Sequence, residues 1–187
     1  MAKLIYVTNV SIDGYIEDEK GAFDWFPRDD EVFAFTTDLI RSAGTFLYGR
    51  RLYEMMAVWE TDAALATQSS LTADFASAWQ AADKIVYSTT LTATSTAKTR
   101  LERHFDPTAV RQLKATAGSD ITIGGANLAA QAMRAGLVDE CQLIIWPLAV
   151  GGGKAGLPTG LRTNFELLDE RRFPSGVVHL RYRPLGQ

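Results

Sequence analysis

The run Ile121-Thr122-Ile123-Gly124-Gly125-Ala126-Asn127-Leu128 decides the fold class. Three β-branched residues make a short strand, the glycine pair breaks it, and Leu128, Ala132 and Leu137 continue as an apolar helical face. The same junction occurs upstream, where the buried strand Thr45-Phe46-Leu47-Tyr48 runs into Gly49-Arg50-Arg51 and then Leu52, Tyr53, Met55 and Met56 predict a helix. A strand that passes through glycine into a helix leaves backbone N–H groups free at the positive helix end, and the missing Cβ lets an anion come close. Two such junctions suit a dinucleotide, and the paired Arg50 and Arg51 favour an extra ribose phosphate, hence NADPH over NADH. Each glycine also has a plain alternative as a turn or close-packing residue.

Outward from these junctions, strand and helix patterns alternate. Leu4 to Val10 is a β-branched-rich strand closed by the turn Ser11-Ile12-Asp13-Gly14, and Glu17 to Phe26 reads as an acidic loop carrying aromatics. Asp29, Asp30 and Glu31 open a helix on which Val32, Phe35, Leu39 and Ile40 recur, with Gly44 at its end. The Thr, Ser and Ala mixture from Thr61 to Thr72 reads as a mobile excursion, followed by a helix through Phe75 and Trp79 and a strand over Lys84-Ile85-Val86-Tyr87-Ser88. Beyond a Thr-rich loop, a strand is expected from Leu101 to Phe105, then a helix capped by Asp106-Pro107 and ended by Gly118. Gln142 to Val150 is a strand, and Phe165 to Phe173 and Val177 to Arg183 form a hairpin turned at Pro174-Ser175-Gly176. In its last strand Val178, Leu180 and Tyr182 face the core and His179, Arg181 and Arg183 face water. The order βαβαβ with this hairpin gives an α/β fold on a mixed, mostly parallel central sheet, expected as one domain over residues 1–187.

Composition excludes several classes. A chain 47% hydrophobic and 22% charged is neither disordered nor collagen-like, and a net charge of −3 argues against a nucleic-acid binder, which needs clustered positive charge. The start reads as a strand and not a secretory signal, and Leu143 to Val150 is too short and too interrupted by Pro147 to span a bilayer, so a cytoplasmic location is expected. One Cys and two His leave no Cys/His zinc site; Cys141 reads as a small core residue, and His104 and His179 as surface or strand-face residues. Gly151-Gly152-Gly153-Lys154-Ala155-Gly156 formally satisfies G-x-G-x-x-G, but Leu157-Pro158-Thr159-Gly160 breaks any following helix, so a flexible loop at one edge of a ligand is expected instead.

The ordered set Ser11-Ile12-Asp13-Gly14-Tyr15-Ile16, Gly49-Arg50-Arg51-Leu52-Tyr53-Glu54, Lys84 to Ser88, Ile123 to Leu128, Ala135-Gly136-Leu137-Val138-Asp139-Glu140 and Pro174 to Val178 resembles dihydrofolate-reductase-like proteins. It is most similar to the stand-alone branch grouped with the C-terminal reductase domain of the riboflavin-biosynthesis deaminase-reductase. The resemblance implies that fold, bound NADPH, a small-molecule substrate and often a homodimer. By position it implies that Gly49, Arg50, Arg51 and Leu52 hold the adenosine phosphates. Ser88 and Thr89 would line the adenine ribose, and Gly124, Gly125, Ala126, Asn127 and Leu128 would cradle the pyrophosphate. Thr8, Asn9 and Ile16 would flank the nicotinamide.

Departures from the family pattern bear on the substrate. Riboflavin-pathway reductases commonly carry a Glu shortly before Gly-Gly, where this chain has Thr122 and Ile123, and an Asp-Asn-Pro-type segment where it has Met55 to Glu60. Folate reductases place an acid after Trp-x-x-Pro, which Trp25-Phe26-Pro27-Arg28-Asp29-Asp30 approximates. Asp29, Asp30 and Asp13 are therefore the candidates for substrate binding or proton supply in reduction of a pterin- or pyrimidine-like heterocycle. Asp29 and Asp30 equally fit a helix cap, and Trp25 and Phe26 either a pocket wall or the core. Two other functions fit the same chain, a nucleotide-binding domain without turnover and a purely structural dimer unit.

Overall fold

The computed structural model describes residues 1–186. In chain order the elements are β1 (Leu4–Ser11), β2 (Tyr15–Glu17), α1 (Asp30–Arg41), β3 (Ala43–Gly49), α2 (Arg50–Met56), α3 (Val58–Thr61), α4 (Ala63–Ala66), α5 (Ser70–Ala81) and β4 (Asp83–Tyr87). They continue with β5 (Thr99–Glu102), α6 (Pro107–Thr116), β6 (Asp120–Gly124), α7 (Ala126–Arg134), β7 (Glu140–Trp146), β8 (Lys154–Ala155), β9 (Asn164–Arg172) and β10 (Val178–Leu185). Eight strands form one sheet in the order β5-β4-β3-β6-β1-β7-β10-β9, and β2 and β8 form a separate two-stranded flap. The pairings from β5 across to β7 are all parallel, and β10 is antiparallel to both β7 and β9. This is the mixed sheet with an antiparallel C-terminal hairpin that the sequence predicts.

Chain direction across the sheet explains where ligands fit. From β1 the chain steps outward to β3, β4 and β5, then returns to β6 and crosses to β7. Right-handed crossovers put helices of the outward and returning paths on opposite faces. Accordingly Val110 of α6 and Leu128, Ala129 and Ala132 of α7 pack with Leu4, Tyr6, Leu47, Ile121 and Ile123 on one face. On the other, Tyr53, Phe75 and Trp79 cover Phe46, Tyr48 and Val86, while Val32 of α1 packs on Ile144 and Trp146. The carboxyl ends of β1, β3 and β6 meet where the direction reverses, the place where open α/β sheets take ligands.

Several expectations change. Helix α1 ends at Arg41 with Ser42 as its cap, and Gly44 lies inside β3, where a Cβ would collide with the Ser119 side chain. Residues 61–72 are ordered into α3, α4 and the start of α5, which a capping box between Ser69 and Thr72 nucleates. The expected strands are shifted at β5 and shortened at β7, where Pro147 ends the ladder after Trp146. His179 is 3% exposed because Phe35 of α1 packs edge-on against its ring, 4.8 Å between centroids, so that face of β10 is covered at His179 while Arg183 stays exposed. The 151–156 run is not a free loop. Its Lys154 and Ala155 pair with β2, a Cβ at Gly153 would strike the backbone of Glu17, and Gly156 accepts a 2.7 Å hydrogen bond from the Tyr6 hydroxyl.

Candidate functional site

Two cavities open at the reversal point. The first, a cleft of about 410 Å³, is lined by Thr8, Asn9, Ile16, Gly49, Arg50, Arg51, Leu52, Gly125, Asn127 and Leu128, for which the resemblance implies contact with a dinucleotide, and also by Glu17 and Lys154. Gly125 is the N-cap of α7 at φ 89°, ψ 120°, a backbone state outside the left-handed well that other residues visit, and with Asn127 and Leu128 it brings the start of that helix to the cleft wall. At Gly124 an added Cβ would meet the tip of the Leu52 side chain, which would have to shift to admit it. Ala126 is buried in the first turn of α7, Gly124 lines the second cavity, and Ser88 and Thr89 follow β4. The Ser88 hydroxyl accepts from the N–H groups of Thr90 and Leu91, and Thr90 Oγ1 accepts from Arg50 at 2.9 Å, which ties Arg50 to that turn.

The cleft carries Arg50, Arg51 and Lys154 against one carboxylate, Glu17. Glu17 belongs to β2 and its side chain is 14% exposed; it accepts from Arg51 at 2.6 Å and lies 3.7 Å from Lys154 Nζ. Arg51 also donates to the Gly21 carbonyl at 3.0 Å, and Arg50 pairs with Glu54 at 2.8 Å. A cleft with surplus positive charge, a helix N-terminus and glycines that keep it open fits a dinucleotide such as NADPH.

The second cavity, about 510 Å³, lies between the sheet and the α1, α2 and α5 helices. Its floor is Val7, Asn9, Tyr48, Thr122, Gly124 and Trp146, and its roof includes Phe33, Met56, Trp59 and Phe75. Val7, Thr8, Asn9, Phe26, Leu52 and Met55 line both cavities, which makes them adjoining chambers of one groove. Phe26 is thus a pocket wall, its ring 5.3 Å from that of Trp146 and 3.9 Å between centroids from the tilted ring of Trp25.

The three candidate acids separate. Asp29 is the N-cap of α1, its carboxylate accepting from Glu31 and Val32 N–H, both at 3.0 Å. The Ser175 hydroxyl, then these N–H groups, hold its carboxyl below the usual range. Asp30 pairs with Arg28 at 2.9 Å, both side chains largely exposed. These residues form the rim of the second chamber, not its floor. Asp13 lines neither chamber: its carboxylate accepts from the Ser11 hydroxyl and from Val150 and Gly151 N–H, which anchors the 147–153 segment to the end of β1. The Ser11 bond chiefly, then those N–H groups, depresses its pKa. Because its folded pKa lies below the unfolded one, its stabilisation is present above about pH 4 and is lost as pH falls through the folded value. Asp13→Asn is therefore expected to flatten the acid limb of a melting-temperature-against-pH curve, measured by thermal denaturation, and to leave the neutral-pH dependence of any turnover unchanged.

Sequence reasoning missed Glu17 and Lys154, which the β2–β8 pairing brings together, and the roof residues Phe33, Trp59 and Phe75. Cys141 is a buried core residue whose thiol burial pushes up to about 12. Among the described residues no group of His, Cys, Asp or Glu is placed to hold a metal ion, and no helix is long and apolar enough to cross a membrane.

Comparison with known proteins adds to this geometry. The model of the RibD C-terminal domain matches residues 2–179. The uncharacterised protein YyaP of Bacillus subtilis (strain 168) is 29% identical over 182 residues, covering 96% of this chain and 94% of its own. A chain from Shewanella sp. PV-4, provisionally attributed to riboflavin biosynthesis, superposes over the full length of both chains with a TM-score of 0.76 at 20% identity. The diaminohydroxyphosphoribosylaminopyrimidine deaminase/5-amino-6-(5-phosphoribosylamino)uracil reductase of Thermotoga maritima matches over 98% of this chain and 57% of its own, with a TM-score of 0.64 at 13% identity. At these structural identities the likeness is one of fold, the dihydrofolate-reductase-like fold.

Proposed function

The chain belongs to the RibD C-terminal domain family, and on that premise we propose that it is a reductase that holds NADPH in the charged cleft and a small planar substrate in the adjoining chamber. The observation that carries this is the shared wall: Val7, Thr8, Asn9, Phe26, Leu52 and Met55 line both spaces, so ligands in the two would meet there. NADPH, when bound, supplies the hydride.

Gly49, Arg50, Arg51 and Leu52 receive the adenosine phosphates, Arg51 and Lys154 supplying the charge that an extra ribose phosphate requires. Ser88 and Thr89 border the adenine ribose. Gly124 to Leu128 receive the pyrophosphate through the N–H groups at the start of α7. Thr8, Asn9 and Ile16 flank the nicotinamide, and the aromatic roof keeps water from the reacting face. Asp29, ionised and engaged in the α1 cap, and Asp30, paired with Arg28, orient the substrate edge at the rim. The proton that completes reduction comes from water there, since no buried acid lines the chamber floor. Homodimeric assembly and a cytoplasmic location belong to the same proposal.

Glu17 engages both Arg51 and Lys154, so an anionic ligand in the cleft competes with it. Glu17→Gln is expected to tighten NADPH binding several-fold at low salt, with the gain shrinking as ionic strength rises; fluorescence titration at two salt concentrations measures it. For the reaction itself, the test is oxidation of NADPH by purified protein with a panel of planar carbonyl and imine compounds. Turnover with any member supports a reductase. Saturable NADPH binding without turnover across the panel favours the nucleotide-binding reading, which the absence of a floor acid also favours.

A further inference from the structure

We propose that the chamber beneath α1 selects an uncharged, planar, conjugated compound and rejects one that carries phosphate or carboxylate, an inference that rests on the reductase reading above and names its substrate class. Charge is segregated along the groove. The cleft holds Arg50, Arg51 and Lys154, whereas the chamber's sole cation among its lining residues is Arg28, bound to Asp30 at the rim with Asp29 beside it. The rim is thus net negative, and no free cation waits for a phosphate inside. A dianion drawn into this space would lose its hydration without gaining a partner, which disfavours its entry.

The polar groups within are neutral and few. Thr8, Thr36 and Thr72 spend their hydroxyl protons on the Asn9, Val32 and Ser69 carbonyls, and the Tyr48 hydroxyl accepts from Trp79 Nε1 at 3.2 Å. Asn9 Oδ1 accepts from Trp146 Nε1 at 2.9 Å; since indole only donates, this fixes the amide orientation and leaves the Asn9 NH2 as donor. Thr122 contributes a hydroxyl and no charge to the floor. The Asn9 amide and the Thr122 hydroxyl between aromatic walls match one or two carbonyl or imine positions on a flat ring system, and the chamber volume is that of a small-molecule site.

The test is calorimetric titration of the full chain with 6-hydroxy-2-naphthaldehyde and with its 6-phosphate ester, which differ only in the anion. The unmodified compound is expected to bind at least about tenfold more tightly, a difference of about 1.4 kcal/mol. Asp30→Asn, which frees Arg28, is expected to narrow that gap by improving ester binding. Equal or tighter binding of the ester, failure of both compounds to bind, or a gap that Asp30→Asn leaves unchanged would overturn the proposal. NADPH is titrated into the same samples. Cofactor binding with no naphthaldehyde binding defeats this inference alone, whereas naphthaldehyde preference without cofactor binding supports the chamber's selectivity and defeats the reductase reading.

Discussion

Gly125→Ala is expected to lower NADPH affinity by at least tenfold and to destabilise the fold by about 1–3 kcal/mol. The residue sits at φ 89°, ψ 120° as N-cap of α7, and its carbonyl accepts from Ala129 N–H to begin the helix. No heavy atom lies within 4 Å of an added Cβ, so the penalty is conformational and not a clash. To relieve it the junction must rotate, which turns the α7 N–H groups away from the cleft and disturbs the first helical bond. Gly49→Ala supplies the contrast. Gly49 has φ −76°, ψ 162°, which any residue adopts, and also has open space around a Cβ. Its substitution is expected to leave denaturant stability within about 0.5 kcal/mol of the parent while still lowering cofactor affinity, because the methyl occupies the cleft. Urea unfolding and cofactor titration on both variants separate backbone strain from close approach.

Arg51→Ala is expected to weaken NADPH binding about 10- to 100-fold and NADH binding far less, the range that one charge-assisted hydrogen bond of about 1.5–3 kcal/mol allows. Arg51 is 62% exposed and held toward the cleft by Glu17 and the Gly21 carbonyl, so it is presented without being buried. Stability should hardly change, since exposed ion pairs contribute little. Arg50 is fastened to Glu54 and Thr90 and is expected to affect both cofactors alike. Equal losses of NADPH and NADH on Arg51→Ala would remove it from the 2′-phosphate.

Legibility in the sequence followed the range of the forces involved. The two strand-Gly-helix junctions, the Asp29 and Asp106 caps and the C-terminal hairpin were readable because each is set by neighbouring residues. Residues 61–72 were not, because the Ser69–Thr72 box uses Thr where Glu or Gln is the usual signal, and short α3 and α4 owe their order to packing on α5. In β10 the expected core residues Val178, Leu180 and Tyr182 are only half-buried, and no local pattern reports that Phe35 of α1 covers His179 on the other face. Gly153 and Gly156 read as loop glycines, yet they permit the tight contact of the 151–156 run with β2 and Val10. That contact brings Lys154 to Glu17 and Arg51 from distant parts of the chain. The acids illustrate the same divide. Their types suggested proton chemistry; the Asp29 cap is local and was legible, whereas only the fold brings Asp13 to Val150 and Gly151 as a loop anchor.

Central to this account is a cleft built for a phosphorylated dinucleotide, and titration of the purified full chain with NADPH and, in parallel, NADH, followed by nicotinamide fluorescence, tests it most directly. Saturable binding at sub-millimolar NADPH, tighter than NADH and weakened by salt, is the predicted result. No saturable binding of either, or binding of the two with equal affinity and no salt dependence, would contradict it.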